Sequence, residues 1–268
     1  MDKQTDSKEP GKWEKELIEK LASASLNEQR RARRWGILFK FLTFAYLITL
    51  LVLWMPDKFP DAGLTPGTKH TAVVEVKGVI ADDMEASADN IITSLRKAFE
   101  DSNTKGVILR VNSPGGSAVQ SRYVYDEIRR LREKYPEIPL YAVVTDLCAS
   151  GGYYMAVAAD KIYVDKASIV GSIGVLMNSF GFVEAMEKVG VERRLITAGA
   201  HKGIMDPFSP VNAFDEEHVE KMLARIHQQF IDAVKEGRGD RLKENEDIFS
   251  GLFWTGEESI ELGLADGL

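Results

Sequence analysis

Ser150 stands between the apolar approach Leu147-Cys148-Ala149 and two glycines, Gly151 and Gly152, where a buried strand turns into an alanine-rich helix running through Asp160. A serine so placed suits a nucleophile, because the free N–H groups and positive dipole end of a helix N-terminus favour developing negative charge. The same position suits a plain N-cap, and on this stretch alone both readings stand. A second glycine turn, Asn112-Ser113-Pro114-Gly115-Gly116-Ser117, follows the strand ending in Val111 and opens another helix. Turns after successive buried strands bring Gly116 and Gly151 to one end of a sheet. There their backbone N–H groups would cradle a carbonyl oxygen, the main electrostatic requirement of acyl transfer. A tight turn that needs glycine for its own sake is the competing account of each loop.

A serine nucleophile needs a base. Of the four histidines, His70 lies at a domain edge, His218 and His227 share a long helix, and His201 lies in a loop. None has an evident orienting carboxylate, so a Ser-His-Asp arrangement is open only through His201. Lys202, in Ala198-Gly199-Ala200-His201-Lys202-Gly203-Ile204, sits among small and apolar residues after a strand through Thr197. An ordinary lysine titrates near ~10.4, and desolvation lowers that by several units, enough to accept a serine proton. An exposed loop lysine is the alternative. Ser172, in Gly171-Ser172-Ile173-Gly174, would then hold the amine by a hydrogen bond. Cys148 reads as a small buried side chain rather than a rival nucleophile.

The elements that must position these groups alternate along the chain. Strands are expected over 71–80, 106–111, 140–144, 161–164, 174–177 and 193–197, and helices over 88–100, 117–134, 215–236 and 257–262. Runs such as Val107-Ile108-Leu109 lack polar alternation, as strands buried on both faces do, so the chain reads as α/β with a parallel sheet. Ahead of this, Trp35 to Met55 is almost wholly apolar and long enough to cross a bilayer. Arg30, Arg31, Arg33 and Arg34 crowd its entry side, which puts the N-terminus in the cytoplasm and the rest outside. Four segments follow: a cytoplasmic tail over 1–34, a transmembrane helix over 35–55, a linker over 56–69 and an extracytoplasmic domain over 70–268. The net charge of −7 argues against nucleic acid as a partner, and one cysteine excludes an intramolecular disulfide. No zinc spacing, dinucleotide fingerprint or phosphate-loop lysine is present, so no metal or cofactor is expected.

These motifs, in this order and spacing, resemble the signal peptide peptidase A family in its short, single-repeat bacterial form. The resemblance covers about residues 71–268 and rests on Asn112 to Gly116, Ala149 to Tyr154 leading into Ala158 to Ile162, Gly171 to Val175, and Gly199 to Lys202 with Ile204-Met205. It implies a Clp protease/crotonase-like spiral of β-β-α units and a Ser-Lys serine peptidase. Ser150 would be the nucleophile, Lys202 the base and Ser172 its orienting hydroxyl. The main chain of Gly151 and of Gly116, or else Gly115, would form the oxyanion hole. It further implies homo-oligomers, octamers in the short form, with serine and lysine drawn in some members from adjacent subunits. Substrates would be apolar signal peptides left in the bacterial cytoplasmic membrane. Asp206 stands where relatives often carry serine. Two other functions compete: an idle membrane scaffold on the same fold, and a crotonase-type acyl-CoA enzyme, which the membrane segment and the lack of a basic phosphate site disfavour.

Overall fold

The computed structural model describes residues 11–54 and 68–268. The start of the tail (1–10) and most of the expected linker lie outside the described residues, and the chain divides into two units, 1–66 and 67–268. In the first, one helix, α1 (Lys12–Trp54), runs unbroken through the expected tail and apolar segment. Its stretch Glu28–Leu51 is long and apolar enough to cross a membrane. The hydroxyls of Thr43 and Thr49 donate to the carbonyls of Phe39 and Ala45, each at 2.9 Å, so these polar groups are satisfied within the helix, as a hydrocarbon environment requires.

In the second unit the β-branched runs form a sheet. β1 (His70–Lys77), β2 (Thr104–Ser113) and β3 (Leu140–Ala149) pair in parallel. The long β3 has two successive partners: β4 (Lys161–Tyr163) along its first half and β5 (Ile169–Gly171) along its end. β6 (Phe253–Thr255) closes the edge antiparallel to β5. Val107, Leu109 and Val111 of β2 are all but fully buried, as are Leu140 and Ala142 of β3. Helices α2 (Ala88–Glu100) and α3 (Ala118–Lys134) begin at serine caps, Ser87 and Ser117, whose hydroxyls accept from Asn90 and Gln120. The short α4 (Gly151–Ala156) follows β3 directly and is buried throughout. After α5 (Val183–Lys188), the long α6 (Ala213–Arg238) packs back onto it, so closely that a methyl on Gly237 would lie 2.1 Å from the Val157 carbonyl. α7 (Gly256–Glu261) begins at a capping box of Thr255 and Glu258.

The expected strands at 174–177 and 193–197 are not in the sheet: both stretches lie outside any ladder, and no residue from Gly174 to His218 is buried. Among the described residues little covers their apolar runs. The helix opened by Ser150 also stops at Ala156 rather than Asp160.

Polar anchors tie the elements that carry the site. Arg238, with 1% of its side chain exposed, donates to the Gly263 carbonyl and to Asp266, which also accepts from the Ile162 N–H. Glu127 is bound by Arg130 at 2.6 Å and by Arg96 at 2.7 Å. The hydrogen bonds from Arg130 and Arg96 outweigh burial and hold its carboxyl down to about 2. A depressed carboxyl stabilises the fold above its ordinary range and loses that contribution as pH falls from about 4.5 towards 2. Because both arginines are half-exposed, we expect Glu127→Gln to remove about 1–2 kcal/mol of stability at pH 7 and almost none at pH 2. Urea midpoints of the two proteins converging on acidification is the result to look for.

Candidate active site

β3 ends at Ala149, and the chain reverses at Ser150 with φ +50° and ψ −121° before α4 begins. A non-glycine residue held there costs on the order of 1–3 kcal/mol and persists only where the surroundings fix it. They do: the Ser150 N–H donates to the Gly171 carbonyl at 2.8 Å, and its own carbonyl accepts from Tyr154 at 2.9 Å. The Ser150 hydroxyl makes no capping bond. The cap account of this serine therefore fails, and among the described residues its hydroxyl has no hydrogen-bond partner. Three residues on, Tyr153 is fully buried and donates to the Leu264 carbonyl at 2.8 Å, which anchors α4 behind the turn.

The glycine turn after β2 lies against this serine. A methyl on Gly115 would fall 2.7 Å from both the Gly151 nitrogen and Ser150 Cβ, so only hydrogen fits. Gly115 and Gly116 have φ +95° and +151°. Ile80 holds the turn from below: its N–H donates to the Gly115 carbonyl (2.9 Å) and its carbonyl accepts from Ser117 (2.8 Å). Ser113, fully buried, supports it from the side, donating to the Gly78 carbonyl at 2.6 Å and accepting from the Gly115 N–H at 3.1 Å. The Gly116 nitrogen lies 3.4 Å from where a Gly151 Cβ would be, and neither of these two N–H groups meets an acceptor among the described residues. Two free, converging donors beside a free serine hydroxyl are what acyl transfer needs.

These groups open into a cleft of about 540 Å³. Ser150, Gly116, Gly151 and Ser172 share it with Tyr154, Val175, Leu176, Ile226 and Phe230, which make its wall largely apolar. The Tyr154 ring lies on Phe230 with centroids 4.7 Å apart. Ser172 stands across from the nucleophile at φ +54°, its N–H bonded to the Leu252 carbonyl at 2.7 Å. Cys148 is fully buried, and burial pushes its thiol up, so it is no competing nucleophile.

Lys202 is not in this cleft. No residue from 177 to 225 lines it, and Lys202 is exposed on a turn whose N–H bonds back to Gly199 (3.2 Å). The expectation of a lysine desolvated at a strand end is thus not met within the described residues, since there is no strand there and Lys202 itself is exposed. Asp206 is turned away towards Arg193 (3.4 Å) and Ser209 (2.7 Å). Nor is His201 without a carboxylate: its Nδ1 lies 2.5 Å from Asp215 and its ring stacks on Phe214. That pairing joins residues fourteen apart in sequence and depends on how the turn folds against the start of α6. His227, on the same long helix, is half-buried, with Nε2 3.0 Å from the Ile173 carbonyl. The hint was its place beside Ile226 and one turn before Phe230, which both face the cleft. Among the described residues no group of acidic, cysteine and histidine side chains could hold a metal ion.

Comparison with known proteins gives a consistent picture. Residues 132–268 match Peptidase family S49. The chain is 32% identical over 77% of its length to the chloroplastic serine protease SPPA of Arabidopsis thaliana, covering 31% of that protein. It is also 32% identical over 73% of its length to Protease 4 of Haemophilus influenzae, covering 32% of it. A third match, 50% identical over 65% of the chain, covers 24% of a Brucella melitensis protein named as the Na(+)/H(+) antiporter NhaA. The chain thus spans about a quarter to a third of these relatives, and a match to so small a part of the last carries no ion transport to this one.

Proposed function

Because the chain belongs to Peptidase family S49, with its α/β fold of the Clp protease and crotonase kind, we propose that it is a membrane-anchored serine endopeptidase that cleaves apolar peptides with Ser150 as nucleophile and Lys202 as general base. The observation that carries this reading is the strained, uncapped Ser150 beside the free N–H groups of Gly116 and Gly151 in an apolar cleft. Ser150 Oγ attacks the scissile carbonyl while its proton passes to neutral Lys202 Nζ, and the two glycine N–H groups hold the oxyanion. Collapse expels the amine, which takes the proton from Lys202, and leaves an acyl-enzyme on Ser150. A water, deprotonated by the same lysine, releases the acid. Ser172 orients the amine by its hydroxyl.

In this reading Lys202 comes from a neighbouring copy. The exposed stretch 174–218 supports it, since Leu176, Phe180, Val189, Ile196 and Val211 each leave more than half their surface uncovered, as an unpaired subunit interface would. Burial against that neighbour would supply the desolvation that makes lysine a base at neutral pH. The assembly would be a closed homo-oligomer, an octamer in the family's short form. α1 would anchor it in a bacterial cytoplasmic membrane, with the basic end inside and the cleft outside, where remnant signal peptides emerge.

A second reading has a specific observation behind it: His201, oriented by Asp215, could serve as the base in place of its neighbour Lys202. A serine-directed fluorophosphonate tests the shared core of both. We expect it to label Ser150 stoichiometrically, with labelling lost in Ser150→Ala; intact protein that resists the probe would favour the idle scaffold instead.

A further inference from the structure

Three consecutive residues beside the nucleophile are each pinned by a different element. The Gly171 carbonyl accepts from the Ser150 N–H (2.8 Å), the Ser172 N–H donates to Leu252 (2.7 Å), and the Ile173 carbonyl meets His227 Nε2 (3.0 Å). A carbonyl only accepts, so Nε2 carries the hydrogen and His227 donates. The first two bonds hold the backbone at Gly171 (φ +111°) and Ser172 (φ +54°). The third is different in kind. It is a side-chain bond reaching from α6 to the segment that leaves the sheet, and Ile173 is fully buried, so its carbonyl has little access to water.

The two elements so joined both line the cleft. Ile226 and Phe230 flank His227 on α6, while Gly174, Val175 and Leu176 follow Ile173. Beyond Ile173 the segment has no sheet partner, and no residue from Gly174 to His218 is buried. The His227 bond is therefore the last fixed point before the exposed stretch begins. We propose that His227 is a positioning residue for peptide binding: by holding the Ile173 carbonyl it sets the separation of the two apolar walls that receive the substrate side chains. Loss of the bond leaves a buried carbonyl unpaired, and the cheapest relief is for the 173–174 peptide to turn to water and carry residues 174–176 outward while the Ile173 side chain stays in the core. The pins on Gly171 and Ser172 remain, so the cleft widens while the nucleophile's own geometry is kept.

The inference rests on the peptidase reading for its reaction but not for its test. His227→Phe keeps the ring and removes the donor; His227→Gln keeps an N–H donor of similar reach. Each is combined with Ser150→Ala, and the affinity of a fluorescent leucine- and alanine-rich peptide is measured by anisotropy on protein whose size-exclusion profile matches the parent. We expect the phenylalanine variant to bind about tenfold more weakly, the loss of one hydrogen bond to a buried group, and the glutamine variant to recover most of that. In the Ser150-intact proteins the same pattern should fall mainly on KM rather than kcat. Equal affinity in all three proteins, a glutamine variant no better than phenylalanine, or no peptide binding by the parent each overturns the assignment. Peptide binding that follows this pattern without hydrolysis by the wild type would sink the peptidase reading and leave His227 in its role.

Discussion

Purified Ser150→Ala protein and purified Lys202→Ala protein, each expected to be inactive alone, should regain peptide hydrolysis when their subunits are allowed to exchange. Removing a nucleophile or its base costs on the order of 10⁴–10⁶ in kcat, so each parent starts from a near-zero background. The reason to expect recovery lies in α6. Its first turn holds the Lys202 turn through Asp215 and His201, whereas the cleft is lined by Ile226 and Phe230 further along the same helix. Asp215 and Ile226 are separated by about 16 Å of rigid helix, well beyond what a lysine stem bridges. On the proposed mechanism, a lysine so carried would serve a neighbour's serine rather than its own. In an equal mixture with head-to-tail contacts, about one site in four combines an intact serine with an intact lysine, so roughly a quarter of wild-type activity should return. No recovery, from partners shown to exchange by a size-tagged subunit, would mean that serine and lysine act within one chain. Repeating the mixture with His201→Ala in place of Lys202→Ala separates the two bases. If lysine is the base, His201→Ala alone should retain substantial activity.

What could be read from residue order is what local chemistry decides. The helix over Ala88–Glu100 has its expected bounds because a serine cap and a clean apolar face both act within a few residues, and α3 begins one residue after its cap, Ser117. The two glycine turns could be placed at one sheet end because parallel strands with short connections leave little choice. The rest depends on partners distant in sequence. β5 and β6 are three residues each and exist only because β3 and one another are there to pair with, while Gly174–Met177 has the composition of a strand and no neighbour to pair with. Lys202 is the clearest case. Its small and apolar surroundings imply burial, but burial is conferred by whatever packs on top, and among the described residues Lys202 stays exposed. The role of His227 is hidden for a related reason, since its partner is a backbone carbonyl with no residue identity to notice.

Gly116→Ala should abolish most turnover while leaving Ser150 in place. Its Cβ would sit 2.2 Å from the Ile80 carbonyl oxygen and 2.8 Å from the Ile80 nitrogen, at a φ of +151° that L side chains rarely adopt. Ile80 cannot step aside, because its N–H and carbonyl are the bonds that hold Gly115 and Ser117. The loop must move instead and take the Gly116 N–H away from Gly151. Loss of one oxyanion donor costs about 10²–10³ in kcat. Gly151→Ala offers the contrast, since its methyl meets the Ser121 Oγ at 2.3 Å, a side-chain atom. Adding Ser121→Ala removes that atom and should return part of the activity of Gly151→Ala, whereas no nearby side-chain change can rescue Gly116→Ala, whose clash is with backbone. Both kcat values are to be taken on protein with parental circular dichroism and elution volume. A folded Gly116→Ala protein within a few-fold of wild-type kcat would remove Gly116 from the oxyanion hole and leave Gly115, whose own N–H is already bonded to Ser113, as an unlikely substitute. The donor pair assigned to the site would then have to be found elsewhere, and the mechanism built on it would fall.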